Sequence, residues 1–199
     1  MMKQFRPQFV MAGLAIALLQ GCSAPAATPV ATAPPMQPYT EADVQFLTGM
    51  IPHHSQAIQI SSWAPSHGAS AAIQRLTERI VVGQKDDIFL MRQWLTDRGK
   101  PAPDPDHAAH SGDHAMHMPG MLTAEQMAQL DAARGTEFDR LFLTFMIQHH
   151  QGALKMVEQL LGSAGAAQDD FVFKLASDMN AEQITEIERM RSMLASLPS

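Results

Sequence analysis

The chain contains one cysteine, Cys22, in 199 residues. An intramolecular disulfide is therefore impossible, and no cysteine nucleophile remains once Cys22 is assigned elsewhere. Aromatic residues are sparse, with one Tyr and two Trp, and no strand pattern occurs anywhere. Positive charge is also scarce: 14 Lys and Arg stand against 20 Asp and Glu, for a net charge of −6. Removing residues 1–21 takes away Lys3 and Arg6 and leaves −8. A balance of that sign argues against nucleic acid as a partner, because phosphate binding needs basic patches. The apolar run Phe9–Leu19 is too short to span a bilayer. No nucleotide-binding loop or Ser-His-Asp grouping is present. The chain is instead rich in polarizable side chains, with fifteen Met and nine His.

Residues 1–22 read as a lipoprotein signal. Lys3 and Arg6 form a basic start, an apolar core follows, and Leu19-Gln20-Gly21-Cys22 resembles a lipobox that makes Cys22 the lipidated residue. The alternative is an ordinary signal cleaved near Ala24-Pro25-Ala26-Ala27. Either one takes the protein out of the cytoplasm, facing the periplasm. Ser23 suits sorting to an outer membrane where the cell has two. Residues 23–39, rich in Ala, Pro and Thr, read as a tether without a core.

The folded part is written twice. Asp43, Phe46, Leu47, Met50, Ile51, His53, His54 and Ala57 recur as Asp139, Phe142, Leu143, Met146, Ile147, His149, His150 and Ala153, all at an offset of 96. A second pattern, Gln84-x-x-Asp87-Ile88-x-x-Met91-Arg92-x-x-Leu95, recurs at an offset of 99 as Gln183-x-x-Glu186-Ile187-x-x-Met190-Arg191-x-x-Leu194. The spacings are helical, so each copy predicts a helical hairpin, and two hairpins with one apolar stripe each make a four-helix bundle. The expected parts are a first hairpin over 40–99, a linker over 100–122 and a second hairpin over 123–197. Helices are expected from Thr40 to about Trp63, 69–98, a short one from Thr123, 137–161 and 169–197. Thr40-x-x-Asp43 and Thr136-x-x-Asp139 both read as capping boxes. Pro52 should kink the first helix. Arg92 and Arg191 either pair with Asp87 and Glu186, each five residues before its arginine, or stay on the surface.

Each His-His pair follows a Met by three and four residues, which places thioether and imidazole on one helix face. That donor set suits Cu(I), with Ag(I) or Cu(II) as alternatives. The candidate ligands are Met50, His53, His54, Met91, Met146, His149, His150 and Met190. Asp87 and Glu186, one turn before Met91 and Met190, are candidates to orient a ligating His through its second nitrogen. Adjacent helical residues differ by about 100°. His54 and His150 are therefore expected inside, and His53 and His149 at the helix edge. The linker adds His107, His110, His114, Met116, His117, Met118 and Met121. Of these, His114, Met116, His117, Met118 and Met121 are taken as ligands, because His/Met-rich tracts bind metals. Met127, Met156, Met179 and Met193 are assigned to packing. The bland alternative treats the histidines as core or solvated residues of a structural or interaction bundle. A di-iron site is excluded, because no Glu has a His three residues later.

The doubled pattern, with Met118-Pro119-Gly120-Met121-Leu122-Thr123 leading into the second half, resembles the domain-of-unknown-function-305 family. The likeness covers about residues 40–195. It implies a ferritin-like fold and copper or silver binding in the envelope, as in the CopM-type periplasmic copper-binding proteins of that family. By motif it points to Met50, His53, His54, Met91, Met118, Met121, Met146, His149, His150 and Met190. The family's Gly and later Met after His-His are Gly152 and Met156 in the second half but Gln56 and Ile60 in the first. The expectation is a copper-tolerance, buffering or delivery protein. No catalytic step is implied, a copper redox enzyme is the third reading, and any protein that would receive the metal is unidentified.

Overall fold

A computed structural model of the chain describes residues 37–105 and 118–198. The described residues form five helices and no strand: α1 (Glu41–Ser62), α2 (Ala71–Asp97), α3 (Ala124–Ala132), α4 (Gly135–Leu161) and α5 (Asp170–Ser196). The all-α reading holds, and the long helices fall close to the positions their spacing predicts. Cys22, His107, His110, His114, Met116 and His117 lie outside the described residues.

The helix starts follow local chemistry. Thr40 and Asp43 form the expected capping box on α1, and Thr123 and Gln126 form another on α3. Ser70 and Asp169 accept backbone N–H groups at the starts of α2 and α5. The second predicted box, at Thr136, is not formed. α4 begins at Gly135 with Arg134 as its cap residue and no side-chain capping bond. Asp139 instead accepts from the Ser70 backbone N–H with both oxygens at 3.2 Å, tying α4 to the start of α2. α1 runs as one helix through Pro52.

α1 packs on α2, α4 packs on α5, and α1 packs on α4. α1 and α4 are antiparallel, which divides the interior into two apolar clusters. One joins Val44–Ile51 of α1 to Ala153–Leu160 of α4, with Met91, Trp94 and Leu95 of α2 and Val172–Met179 of α5. The other joins Ala57 and Ile60 to Phe138–Met146, with Ile73–Ile80 of α2 and Ile187 and Met190 of α5. Residues 53–54 of α1 and 149–150 of α4 fall between them. Met156 and Met179 lie in the first cluster, and Met127 and Met193 pack against the second, as assigned.

Asp43 connects the capping of α1 to the other hairpin. Its side chain is fully buried. Oδ2 accepts from Thr40 N at 2.7 Å and Oγ1 at 2.8 Å, and Oδ1 accepts from the Ala167 N–H at 2.7 Å. Asp43→Ala leaves two backbone donors without their acceptor. It is expected to cost about 2–3 kcal/mol, read as a lowered midpoint in urea denaturation with unchanged slope.

Candidate metal centre

Between the apolar clusters lies a polar layer in which His53, His54, His149 and His150 are all 0% exposed. The expectation that His53 and His149 sit at helix edges is therefore corrected. α1 has two neighbours, and the two residues of its His-His pair face one each. His54 Nε2 lies 3.1 Å from Asp87 Oδ2 on α2. His53 meets His149 of α4 with ring centroids 3.8 Å apart. On α4, His150 Nε2 lies 2.6 Å from Glu186 Oε2 on α5, repeating the His54–Asp87 contact.

The partners fix which nitrogen is free. A carboxylate or a carbonyl only accepts, so Asp87 and Glu186 place the proton of His54 and His150 on Nε2. The Pro119 carbonyl, 3.1 Å from His53 Nε2, does the same for His53. Each of these rings is left with its Nδ1 lone pair buried and without a partner in the protein. In His149 neither nitrogen has one. Gln84 and Gln183, which correspond under the repeat, each add a buried Oε1 without a partner. Every such group costs about 1–3 kcal/mol, and native proteins hold few of them. One nitrogen of neutral His149 carries its proton, so these seven atoms offer six lone-pair donors to a bound cation.

Two of the imidazoles, His53 and His149, are held neutral. Burial drives the His53 pKa down to about 3, helped by the charge His54 would carry and opposed by the Pro119 carbonyl. Burial also drives His149 well below its ordinary value, with His53, His150 and His54 acting in the same direction. Neutral imidazole is the form that ligates a metal.

The thioethers flank the layer in a two-fold pattern. Met50 lies one turn before His54 on α1, and Met91 one turn after Asp87 on the antiparallel α2. Both steps therefore run the same way, into the first apolar cluster, where both side chains are fully buried. Met146 and Met190 take the mirror-related steps from His150 and Glu186 into the second cluster, and they too are fully buried. One turn is about 5.4 Å along the axis, so sulfur stands above and below the imidazoles. Among the described residues, no three His, Cys, Asp or Glu side chains form a ready cage. Buried methionine is the soft donor at hand to complete the shell of a cation held here. The donors present fit a soft monovalent ion in that respect.

The end of the linker covers the α1–α4 side of the layer. A strap, Met118–Leu122, carries the Pro119 carbonyl that orients His53. Gln56 clamps it, donating to the Leu122 carbonyl at 3.1 Å and accepting from the Leu122 N–H at 2.8 Å. The strap rests on Gly152, the repeat equivalent of Gln56, and Met118 packs against the first cluster near Gly49 and Met156. The departure from the repeat at Gln56 thus has a structural reason: one position clamps the strap and its twin makes room for it. Met121 is half-buried at the strap's turn. Arg92 pairs with neither carboxylate and donates to the Pro103 carbonyl at 2.6 Å. Gln84, Gln183, Gln56 and Gly152 were not singled out as parts of the site from sequence. The first two stand at the head of the second repeated pattern, which was the available signal.

The sequence pattern of the family described as "Domain of unknown function (DUF305)" matches residues 43–194. A DUF305 fragment from Deinococcus radiodurans has the same fold, at 29% identity and a TM-score of 0.68, covering 80% of this chain and 99% of that one. CopM in its Cu(II)-bound form aligns at 26% identity and a TM-score of 0.62, covering 77% of this chain and 95% of CopM. CopM has also been solved in Cu(I)-bound and Ag-bound forms. An uncharacterized mimivirus protein, L153 of Acanthamoeba polyphaga mimivirus, is 39% identical over 56 residues, which are 28% of this chain. The match spans 37% of that curated relative.

Proposed function

The chain belongs to the DUF305 family, and from that premise we propose that it is an envelope-anchored protein that binds several Cu(I) ions for copper tolerance, buffering or delivery. The observation that carries the reading is the layer of four buried imidazoles with unpartnered nitrogens, flanked on both sides by buried methionines. Copper here is cargo. That CopM, of similar fold, is seen with Cu(I), Cu(II) and Ag supports copper or silver as the cargo. Met50, His53, His54 and Met91 serve the first half. Met146, His149, His150 and Met190 serve the second, with Asp87 and Glu186 fixing His54 and His150. Met118 and Met121 of the strap, and His114, Met116 and His117 before it, are further ligands in this reading. Ag(I) and Cu(II) are the alternative cargoes. Cys22 is the lipid anchor, and the protein faces the periplasm. It is a binder rather than an enzyme.

The test is an anaerobic Cu(I) titration of residues 37–199 against a competing chelator, with melting followed in parallel. Two or more tight equivalents are expected, together with a raised melting temperature. A ligand in hundredfold excess over its dissociation constant stabilises the native state by about 2.7 kcal/mol. No uptake above chelator background, with an unmoved melting temperature, would leave a structural or interaction bundle. The exposed Val82, Phe89, Phe173 and Ile184 on α2 and α5 would then be its contact surface.

A further inference from the structure

A cation bound in the imidazole layer needs a way in, and most directions are closed. Along the bundle axis the layer is bounded by the two apolar clusters. On the α1–α4 side, among the described residues, the strap at Pro119 and Gly120 lies directly on Gly152. The side between α2 and α5 is different. There a groove of about 430 Å³ opens, lined by Gly83, Gln84 and Asp87 of α2 and by Glu182, Gln183 and Glu186 of α5, with Arg79 of α2 and Arg189 of α5 also in its walls.

Three features connect this groove to the layer. Asp87 and Glu186 line the groove and also hold His54 and His150, with side chains 18% and 26% exposed. Each carboxylate therefore reaches from water to a buried ring. Gln84 and Gln183 line it too, each 5% exposed, with Oε1 atoms that no protein group satisfies. The third feature is an absence of bulk. The repeat pairs Gly83 with Glu182, and a Cβ added at Gly83 would meet nothing within 4 Å. One wall of the groove is thus open because its side chain is missing, and the other carries a carboxylate at the matching position.

We propose that the α2–α5 groove is the port through which a soft monovalent cation reaches the buried imidazoles. The inference rests on the copper-binding reading above and adds its route. Glu182 at the mouth, then Asp87, Glu186 and the amide oxygens of Gln84 and Gln183, offer oxygen ligands in succession. Oxygen is a poor ligand for Cu(I) or Ag(I), and imidazole and thioether are better ones. The ion is held weakly on the way and firmly at the end, as transit through successive sites requires. Asp87, Glu182 and Glu186 outnumber Arg79 and Arg189 among the lining residues, and a net negative charge at a cleft raises the local cation concentration and the on-rate.

The experiment follows stopped-flow transfer of Cu(I) from its bicinchoninate complex, and of Ag(I) as an ion without redox chemistry, to the parent chain and to variants. Gly83→Leu fills the groove without removing a donor. Ala181 of α5 also lines the groove, and Ala181→Leu fills it from that opposite wall, should the first variant fold poorly by circular dichroism. Val82→Leu adds bulk on the same helix outside the groove and is the control. Uptake by either groove variant is expected to slow by a factor of about ten, with equilibrium stoichiometry and affinity as in the parent. Val82→Leu should match the parent in both. Parental uptake rates in well-folded Gly83→Leu and Ala181→Leu would overturn the port while leaving the binding site in place. Absence of equilibrium binding in the parent chain would remove the binding reading and the port together.

Discussion

Replacing His149 and His150 together by alanine is expected to abolish tight Cu(I) binding in the second half while leaving the bundle helical. His149 is buried with no partner on either nitrogen, so its loss relieves a burial cost of about 1–3 kcal/mol for each unsatisfied group. The cavity it leaves costs a comparable amount. The metal-free protein should therefore melt close to the parent. His150 removes the partner of Glu186, which is partly exposed and can turn to water. The metal-bound comparison is where the variant fails. Without both imidazoles the second half keeps Met146 and Met190, and the stabilisation by added Cu(I) shrinks accordingly. Calorimetric melting with and without Cu(I), beside a chelator-competition titration, measures both sides. Unchanged stoichiometry and affinity would sink the second-half site.

The same experiment probes how the halves communicate. His53 and His149 stand 3.8 Å apart across the α1–α4 contact. The two repeats thus share one centre, although each carries its own Met and carboxylate. Residues in contact do not contribute independently. A cycle with His53→Ala/His54→Ala is expected to show non-additive losses in Cu(I) affinity.

Much of this was legible in the sequence because the chain states it twice. The two offsets placed four long helices, and Asp87 and Glu186 stood one turn from Met91 and Met190 before their contacts with His54 and His150 were visible. Three things were not legible, each for the same physical reason. Periodicity describes one helix against one partner. A single inner stripe puts His53 at the helix edge, whereas a helix with neighbours on two faces buries positions about 100° apart. Thr136 and Asp139 copy Thr40 and Asp43 in identity. Asp139, however, is engaged by Ser70, a donor brought near only by the tertiary fold. The groove between α2 and α5 depends on how two helices from different hairpins face each other, which no local pattern reports.

Gly152→Ala is expected to be strongly destabilising, against the direction that helix propensity alone would give. Alanine in a helix interior is favoured over glycine by about 1 kcal/mol. At Gly152, however, a Cβ would fall 2.0 Å from the Pro119 carbonyl oxygen and 2.4 Å from its carbon, both backbone atoms that cannot rotate away. The strap cannot shift sideways to relieve this, because Gly120 is itself packed on α4. A Cβ at Gly120 would lie 2.7 Å from the Gln148 carbonyl oxygen, and its φ of +78° already requires glycine. The strap must lift instead. Lifting breaks the His53–Pro119 bond and both Gln56–Leu122 bonds, leaving buried polar groups unpaired. Overpacking and unpaired groups together should cost on the order of 3–5 kcal/mol, enough to outweigh the propensity gain. Gly49→Ala is the matched control. Its Cβ would meet only the flexible Met118 Sδ and Met156 Cε, each at 3.4 Å, so the propensity gain should survive. Urea midpoints for the two variants separate the clash from the helix effect, and a Gly152→Ala midpoint at or above the parent value would show that the strap does not lie on α4 as described. Lifting the strap also frees His53 to exchange tautomers, so Cu(I) affinity in the first half should fall even where the variant remains folded.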